Sequence, residues 1–238
     1  MRIHRALFAA ALLGSGTLAT FTLAADQPPA KADDAHGHAP DEAQLTPEQA
    51  LQRLKDGNNH FVVNKPEHPH LTPKWRNQLA TGQHPFAIVL GCADSRTAPE
   101  VIFDQGLGDL FVVRVAGNVL NDEILGSIEY AVEHLGTPLI VVLGHERCGA
   151  VKAARETIAA KSEAPGHVQS LVKAIEPAVT ATASADAETT AKANVMNVVK
   201  ALEKSGPFLS EKVAVGKVKV VGAHYDLDTG AVEFLTSK

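Results

Sequence analysis

The sequence predicts an α/β fold, a mostly parallel central β-sheet flanked by helices, with an N-terminal helical arm and a C-terminal hairpin. Four short apolar runs carry this reading: residues 86–90 (FAIVL), 110–115 (LFVVRV), 139–143 (LIVVL) and 218–222 (VKVVG). Each has the length of a buried strand rather than of a buried helix. Stretches of helical periodicity separate them, and strands that alternate with helices form parallel sheets covered on both faces.

Residues 1–24 have the order of a secretory signal peptide. Arg2, His4 and Arg5 make a positive start, an apolar run follows from residue 6 to 23, and small residues close it at Thr22, Ala24 and Ala25. Cleavage is expected after Ala24, which places the mature protein in the periplasm or outside the cell. Gly14, Ser15, Gly16, Thr17 and Thr20 interrupt the run, so stable membrane insertion is not expected once it is cleaved. Residues 25–43 combine three prolines and five acids with almost no large apolar groups, the composition of a flexible linker. His36 and His38 in this linker could collect a metal loosely, although a polar tether is the simpler reading. The folded domain is assigned to residues 44–238.

Within it, Thr46 followed by Pro47, Glu48 and Gln49 reads as a helix start. Ala50, Leu51, Leu54 and Phe61 then lie on one face of a helix of about 15 residues. Prolines punctuate residues 65–73, and a short helix is expected near residues 75–79. Further helices are expected over residues 124–135 and 150–160. Residues 156–194, rich in Ala, Thr, Ser and Glu, read as helix plus surface loop with little chemistry. The end, residues 224–235, reads as a hairpin turning at Asp228, Thr229 and Gly230. No internal repeat of solenoid length occurs.

Composition narrows the function classes. The chain has 238 residues, 45% apolar and 21% charged, as in an ordinary globular protein. Its net charge of −5 offers no basic field for nucleic acid.

Two strands run into potential ligands. Val89-Leu90-Gly91-Cys92-Ala93-Asp94 and Val142-Leu143-Gly144-His145-Glu146-Arg147-Cys148 share an apolar strand, a glycine and then a metal-ligating side chain. In a parallel sheet both ligands fall at the carboxyl edge, where sites form. The glycines are expected to let the backbone turn sharply there. Cys92, Asp94, His145 and Cys148 make a plausible tetrahedral set for zinc. The alternatives are plain ones. The two cysteines could form a bridge in an oxidising compartment, His145 could be a satisfied structural histidine, and Asp94 a turn residue. A bridge would leave the Cys-x-Asp and His-x-x-Cys spacings and Arg96 unexplained. Glu146 and Arg147 read as loop charges.

These segments, with Gly82 to Val119, Ile124 to Ala154 and Val218 to Leu235 around them, resemble the beta class of carbonic anhydrases over essentially residues 46–235. The resemblance implies one zinc per subunit, held by Cys92, His145 and Cys148. It implies an Asp94–Arg96 pair, substrate contacts from Gln83 and the backbone of Gly149, and a homodimer or dimer-based tetramer whose subunits exchange N-terminal helices. The family includes a subtype in which bicarbonate, bound away from zinc by a tryptophan, an arginine and a tyrosine, favours a closed form. Arg114 and Tyr225 match two of those positions, but Val89 stands at the third and Trp75 lies elsewhere, so no such site is expected.

The implied reaction is reversible hydration of carbon dioxide to bicarbonate and a proton. Zinc with three protein ligands leaves a place for water, whose pKa falls from about 15.7 toward about 7, supplying hydroxide to attack the substrate. Asp94 can act as a switch, closing the site as fourth ligand or opening it when held by Arg96. His60, His84 and His224 are candidates for proton transfer by residue type alone. Two other readings remain at this stage: a hydrolase of carbon disulfide or carbonyl sulfide on the same centre, and a non-catalytic periplasmic zinc-binding protein.

Overall fold

The computed structural model describes residues 45–235. The expected signal segment, residues 1–24, and the linker with His36 and His38 lie outside the described residues. The first helix, α1 (Pro47–Val62), opens on a reciprocal cap. The Thr46 hydroxyl accepts the Gln49 N–H at 3.2 Å and the Gln49 side-chain oxygen accepts the Thr46 N–H at 2.8 Å. Two amide donors that the helix cannot use itself are thereby satisfied. A strap then leads to α2 (Pro73–Leu79). Buried Asp104 accepts the amides of Glu67 at 2.7 Å and His68 at 3.0 Å, and buried Asp109 meets His70 at 2.9 Å and Arg53 at 3.0 Å.

The sheet has five strands: β1 (Ala87–Gly91), β2 (Leu110–Arg114), β3 (Leu139–His145), β4 (Lys219–Tyr225) and β5 (Val232–Leu235). Their spatial order is β2-β1-β3-β4-β5; all neighbouring pairs are parallel except β4–β5, the antiparallel C-terminal hairpin. Alternating side chains divide its apolar residues between two faces. Ile88, Leu90, Ile140, Val142 and Val220 pack under α4 (Asp122–His134), α7 (Ala187–Glu203) and α8 (Phe208–Ala214). Ala87, Val89, Leu139, Val141, Leu143 and Ala223 pack under α1 and the short α3 (Pro99–Ile102). Burial on both faces explains why these strands read as continuous apolar runs.

The connectivity creates a crevice. From β1 the chain moves to β2 at one edge, whereas from β3 it moves to β4 on the other side. Adjacent β1 and β3 therefore flank the topological switch point, the place where open parallel sheets bind ligands beyond their carboxyl ends.

Two expectations need correction. Residues 156–194 are helical as expected but not merely a surface segment: they contain all of α6 (Val168–Ala181) and the start of α7, and Val172, Ile175, Val179 and Ala191 pack around Cys92 and Cys148. The strand-end glycines are not turning points either. Gly91 is the last residue of β1 and Gly144 lies inside β3, and neither has positive φ. Gly144 is required by closeness, since a Cβ there would sit 2.5 Å from Val195 Cγ2 on α7. Among the described residues, no helix is long and apolar enough to cross a membrane.

Candidate metal centre

Cys92 follows β1 directly, His145 is the last residue of β3, and Cys148 is the N-cap of α5 (Gly149–Ala159). The switch point brings all three together: their ligand atoms lie within 4.8 Å of one another and all three residues are buried. Both cysteines are free thiols, so they do not form the bridge considered above.

The donor set fits zinc. His145 Nδ1 is 2.8 Å from the Glu146 carbonyl, which places a hydrogen on that nitrogen and leaves the Nε2 lone pair available. Nε2 is buried and has no hydrogen-bond partner within the protein. A buried, unpartnered ring nitrogen facing two sulfurs is costly unless a cation completes it. Two thiolates and an imidazole suit borderline-soft zinc, and three protein donors leave a fourth position open.

The thiols are poised unequally. A hydrogen bond from Cys148 holds the Cys92 thiol well below its ordinary value against the opposing effect of burial, with help from His145 and from the Gly117 amide 3.3 Å from its sulfur. The same hydrogen bond, together with burial, pushes the Cys148 thiol up. A divalent cation held by this group would remove the obstacle to ionising the second thiol. Gly117 reaches Cys92 from a turn with φ +75°, where a Cβ would also stand 2.9 Å from Ile175 Cδ1.

Asp94 sits at the rim, held by Arg96. Arg96 Nε donates to Asp94 Oδ1 at 2.9 Å, Nη2 to Oδ2 at 2.7 Å, and the Arg96 amide to Oδ1 at 3.0 Å. This fork holds the Asp94 carboxyl well below the usual carboxylate range. Asp94 Oδ2 is nevertheless only 3.9 Å from His145 Nε2.

A sequence profile of the carbonic anhydrase family matches residues 87–232, from the start of β1 to the start of β5. Carbonic anhydrase 2 of Mycobacterium tuberculosis is 44% identical over 187 residues, covering 77% of this chain and 90% of that protein. The solved beta-carbonic anhydrase CcaA superposes with a TM-score of 0.64 at 26% identity, over 78% of this chain and 95% of that one. The chain belongs to the beta-class carbonic anhydrase family. A second relative, the carbonic anhydrase of Mycolicibacterium smegmatis, is 42% identical over 190 residues, or 79% of this chain and 92% of that protein. A tetrameric beta-carbonic anhydrase from Sordaria macrospora superposes with a TM-score of 0.62 at 26% identity, covering 79% and 97% of the two chains.

Seen as a member of this beta-carbonic anhydrase family, the chain places its other candidates as follows. Gly149 opens α5 next to Cys148 and is exposed, with nothing within 4 Å of where a side chain would begin. Gln83 is exposed in the loop before β1, and the strand's length of about 16 Å separates it from Cys92. It does not join the cluster of its own subunit. His224 is buried on β4 with Nδ1 3.2 Å from Glu188, and burial pushes its pKa down to about 4. His60 meets Asp104 at 3.4 Å under the strap, on the α1 side.

Glu146 and Arg147 do more than the loop charges expected of them. The Glu146 amide donates to the Tyr225 carbonyl at 2.9 Å, its carboxylate accepts the Leu227 N–H at 3.2 Å, and Arg147 forms a fork with Asp228 at 2.8 and 2.7 Å. They tie the turn bearing His145 and Cys148 to the β4–β5 hairpin. Their spacing carries no signal of this, because the partners lie about 80 residues on and meet only when β4 pairs with β3.

Proposed function

We propose that this protein is a zinc-dependent carbonic anhydrase that interconverts carbon dioxide and bicarbonate, with one zinc per subunit held by Cys92, His145 and Cys148. The observation that carries the reading is the convergence of these three donors at the switch point, with His145 Nε2 unpartnered and Asp94 fixed beside it by Arg96. Zinc bound there would supply a water that ionises near neutral pH as nucleophile for carbon dioxide.

The chain's own groups do the rest. Asp94, kept ionised and held by Arg96, is a hydrogen-bond acceptor at the rim and orients the attacking oxygen rather than removing its proton. Arg96 also keeps the carboxylate from taking the fourth ligand position. The Gly149 backbone, at the N-terminus of α5, offers an N–H to a substrate oxygen. Gln83 lies too far from its own cluster, so a substrate contact from it belongs to a neighbouring subunit's site. This placement supports assembly as a homodimer or a dimer-based tetramer.

The N-terminal signal pattern supports export, with action in the periplasm or outside the cell. Stopped-flow hydration from pH 6.5 to 9, with zinc and free thiols counted in the same sample, tests the function. We expect one zinc per chain, two reduced cysteines and a rate that rises with pH; a zinc-loaded protein without hydration above buffer refutes it. Fractionation of cells making the full chain tests export.

A further inference from the structure

Arg114 ends β2, paired in register with Gly91 at the end of β1. From there its side chain crosses to the next residues of the neighbouring segment. Nε donates to the Cys92 carbonyl at 2.9 Å and Nη2 to the Asp94 carbonyl at 2.5 Å. Thr97 closes the same two carbonyls from the other side of the turn. Its hydroxyl lies 3.3 Å from the Cys92 oxygen and 2.9 Å from that of Asp94, and its amide donates to the Asp94 oxygen at 3.1 Å.

The structure assigns Arg114 as a positioning residue for the metal-ligand turn, one that sets the directions of the Cys92 thiol and the Asp94 carboxylate through their backbone carbonyls. The inference rests on the zinc reading above and deepens it. Arg114 need touch neither metal nor substrate. The carbonyls of residues 92 and 94 bracket Ala93, and rotation of either adjoining peptide would swing the Cβ of a site residue. A guanidinium suits this task because its planar fork meets two acceptors at once, each through a charge-assisted bond, which a single ammonium on a flexible stem does less well. Two of its donors serve these carbonyls, which also accounts for an arginine at this position without a regulatory bicarbonate site.

The test uses the full-length protein, with zinc or with cobalt(II) in its place, and compares native protein with Arg114→Met and Arg114→Lys. Three readings are made: zinc loss to excess chelator, the cobalt thiolate and ligand-field absorption at pH 7 and 9, and the pH profile of hydration. Native protein must first bind one cobalt with thiolate absorption, because its failure to do so refutes the zinc reading itself. Given that, Arg114→Met is expected to lose zinc about 10–100-fold faster, the range typical when a partner of a metal ligand is removed. Its cobalt spectrum and pH midpoint should move, with Arg114→Lys between it and native. A folded Arg114→Met with native zinc loss and a native cobalt spectrum overturns the assignment. If Arg114→Met does not fold, Arg114→Lys decides alone: its single ammonium holds the two carbonyls less firmly, and native values in both readings overturn the assignment equally.

Discussion

Arg96 holds Asp94 in a two-bonded fork, yet Oδ2 of that carboxylate stays 3.9 Å from His145 Nε2. A modest swing therefore separates a carboxylate paired with arginine from one at the metal position. The structure has the first arrangement, which under the zinc reading proposed above would leave the fourth position to the nucleophile.

Removing the fork should release the carboxylate. Arg96→Gln is expected to lower kcat by about 10²-fold, the cost of misplacing a group that orients a reacting atom. Zinc content should stay at the native level, since Arg96 bonds to Asp94 and to none of the three ligands. Stopped-flow hydration with metal analysis of the same sample checks both; a native rate would show that Arg96 does not govern Asp94.

Gly144 tests the packing behind the ligands. A methyl group there would meet Val195 Cγ2 at 2.5 Å, so the Val195 side chain or the spacing of β3 and α7 would have to shift. Gly144→Ala should destabilise the fold by about 1–3 kcal/mol, as overpacking of a tight core does. Urea denaturation measures this, and a change below about 0.5 kcal/mol would mean that α7 yields freely, as at an ordinary surface position.

Asp104 gives a pH signature. Burial opposes its ionisation, but the amides of Glu67 and His68, with His60 beside them, win and leave its carboxyl below the ordinary value. A carboxyl lowered in the fold stabilises above its unfolded pKa of about 3.9, and that contribution is lost as pH falls through the lower folded value. Asp104→Asn should cost about 1.5–3 kcal/mol at pH 7, the worth of hydrogen bonds to a charged group. The gap from native should narrow below about pH 4. Denaturation of both proteins at pH 7, 4 and 3 checks the sign; a gap that widens toward acid would contradict it.

Asp228 sets a contrast between geometry and energy. Its fork with Arg147 is well formed, but the two side chains are 68% and 53% exposed. Solvent screens such pairs, so Asp228→Ala should leave the urea midpoint indistinguishable from native. Glu146, half-buried and bonded to the hairpin backbone, continues to hold the ligand turn. Zinc loss to a chelator should stay within about threefold of native, the scale of so weak a pair. A tenfold change would show that the exposed fork itself positions His145 and Cys148.

The amino-acid order by itself determined the strands, the capped first helix and the identity of the candidate ligands. Those readings rest on local rules: apolar runs of strand length, Thr46 and Gln49 three residues apart, and side chains whose chemistry suits a soft divalent cation. Its limits are equally specific. Val172, Ile175 and Val179 show helical spacing, but the Ala- and Thr-rich stretch around them resembles a solvated helix, and nothing local says that it walls two thiols. Only the tertiary structure decided that Arg114, 22 residues after Cys92, grips that turn, because the contact exists only in the parallel register that sets Gly91 beside Arg114. Sequence encodes the chemistry of each side chain and the conformations of its near neighbours; distances across strands follow from register and packing, to which the whole chain contributes.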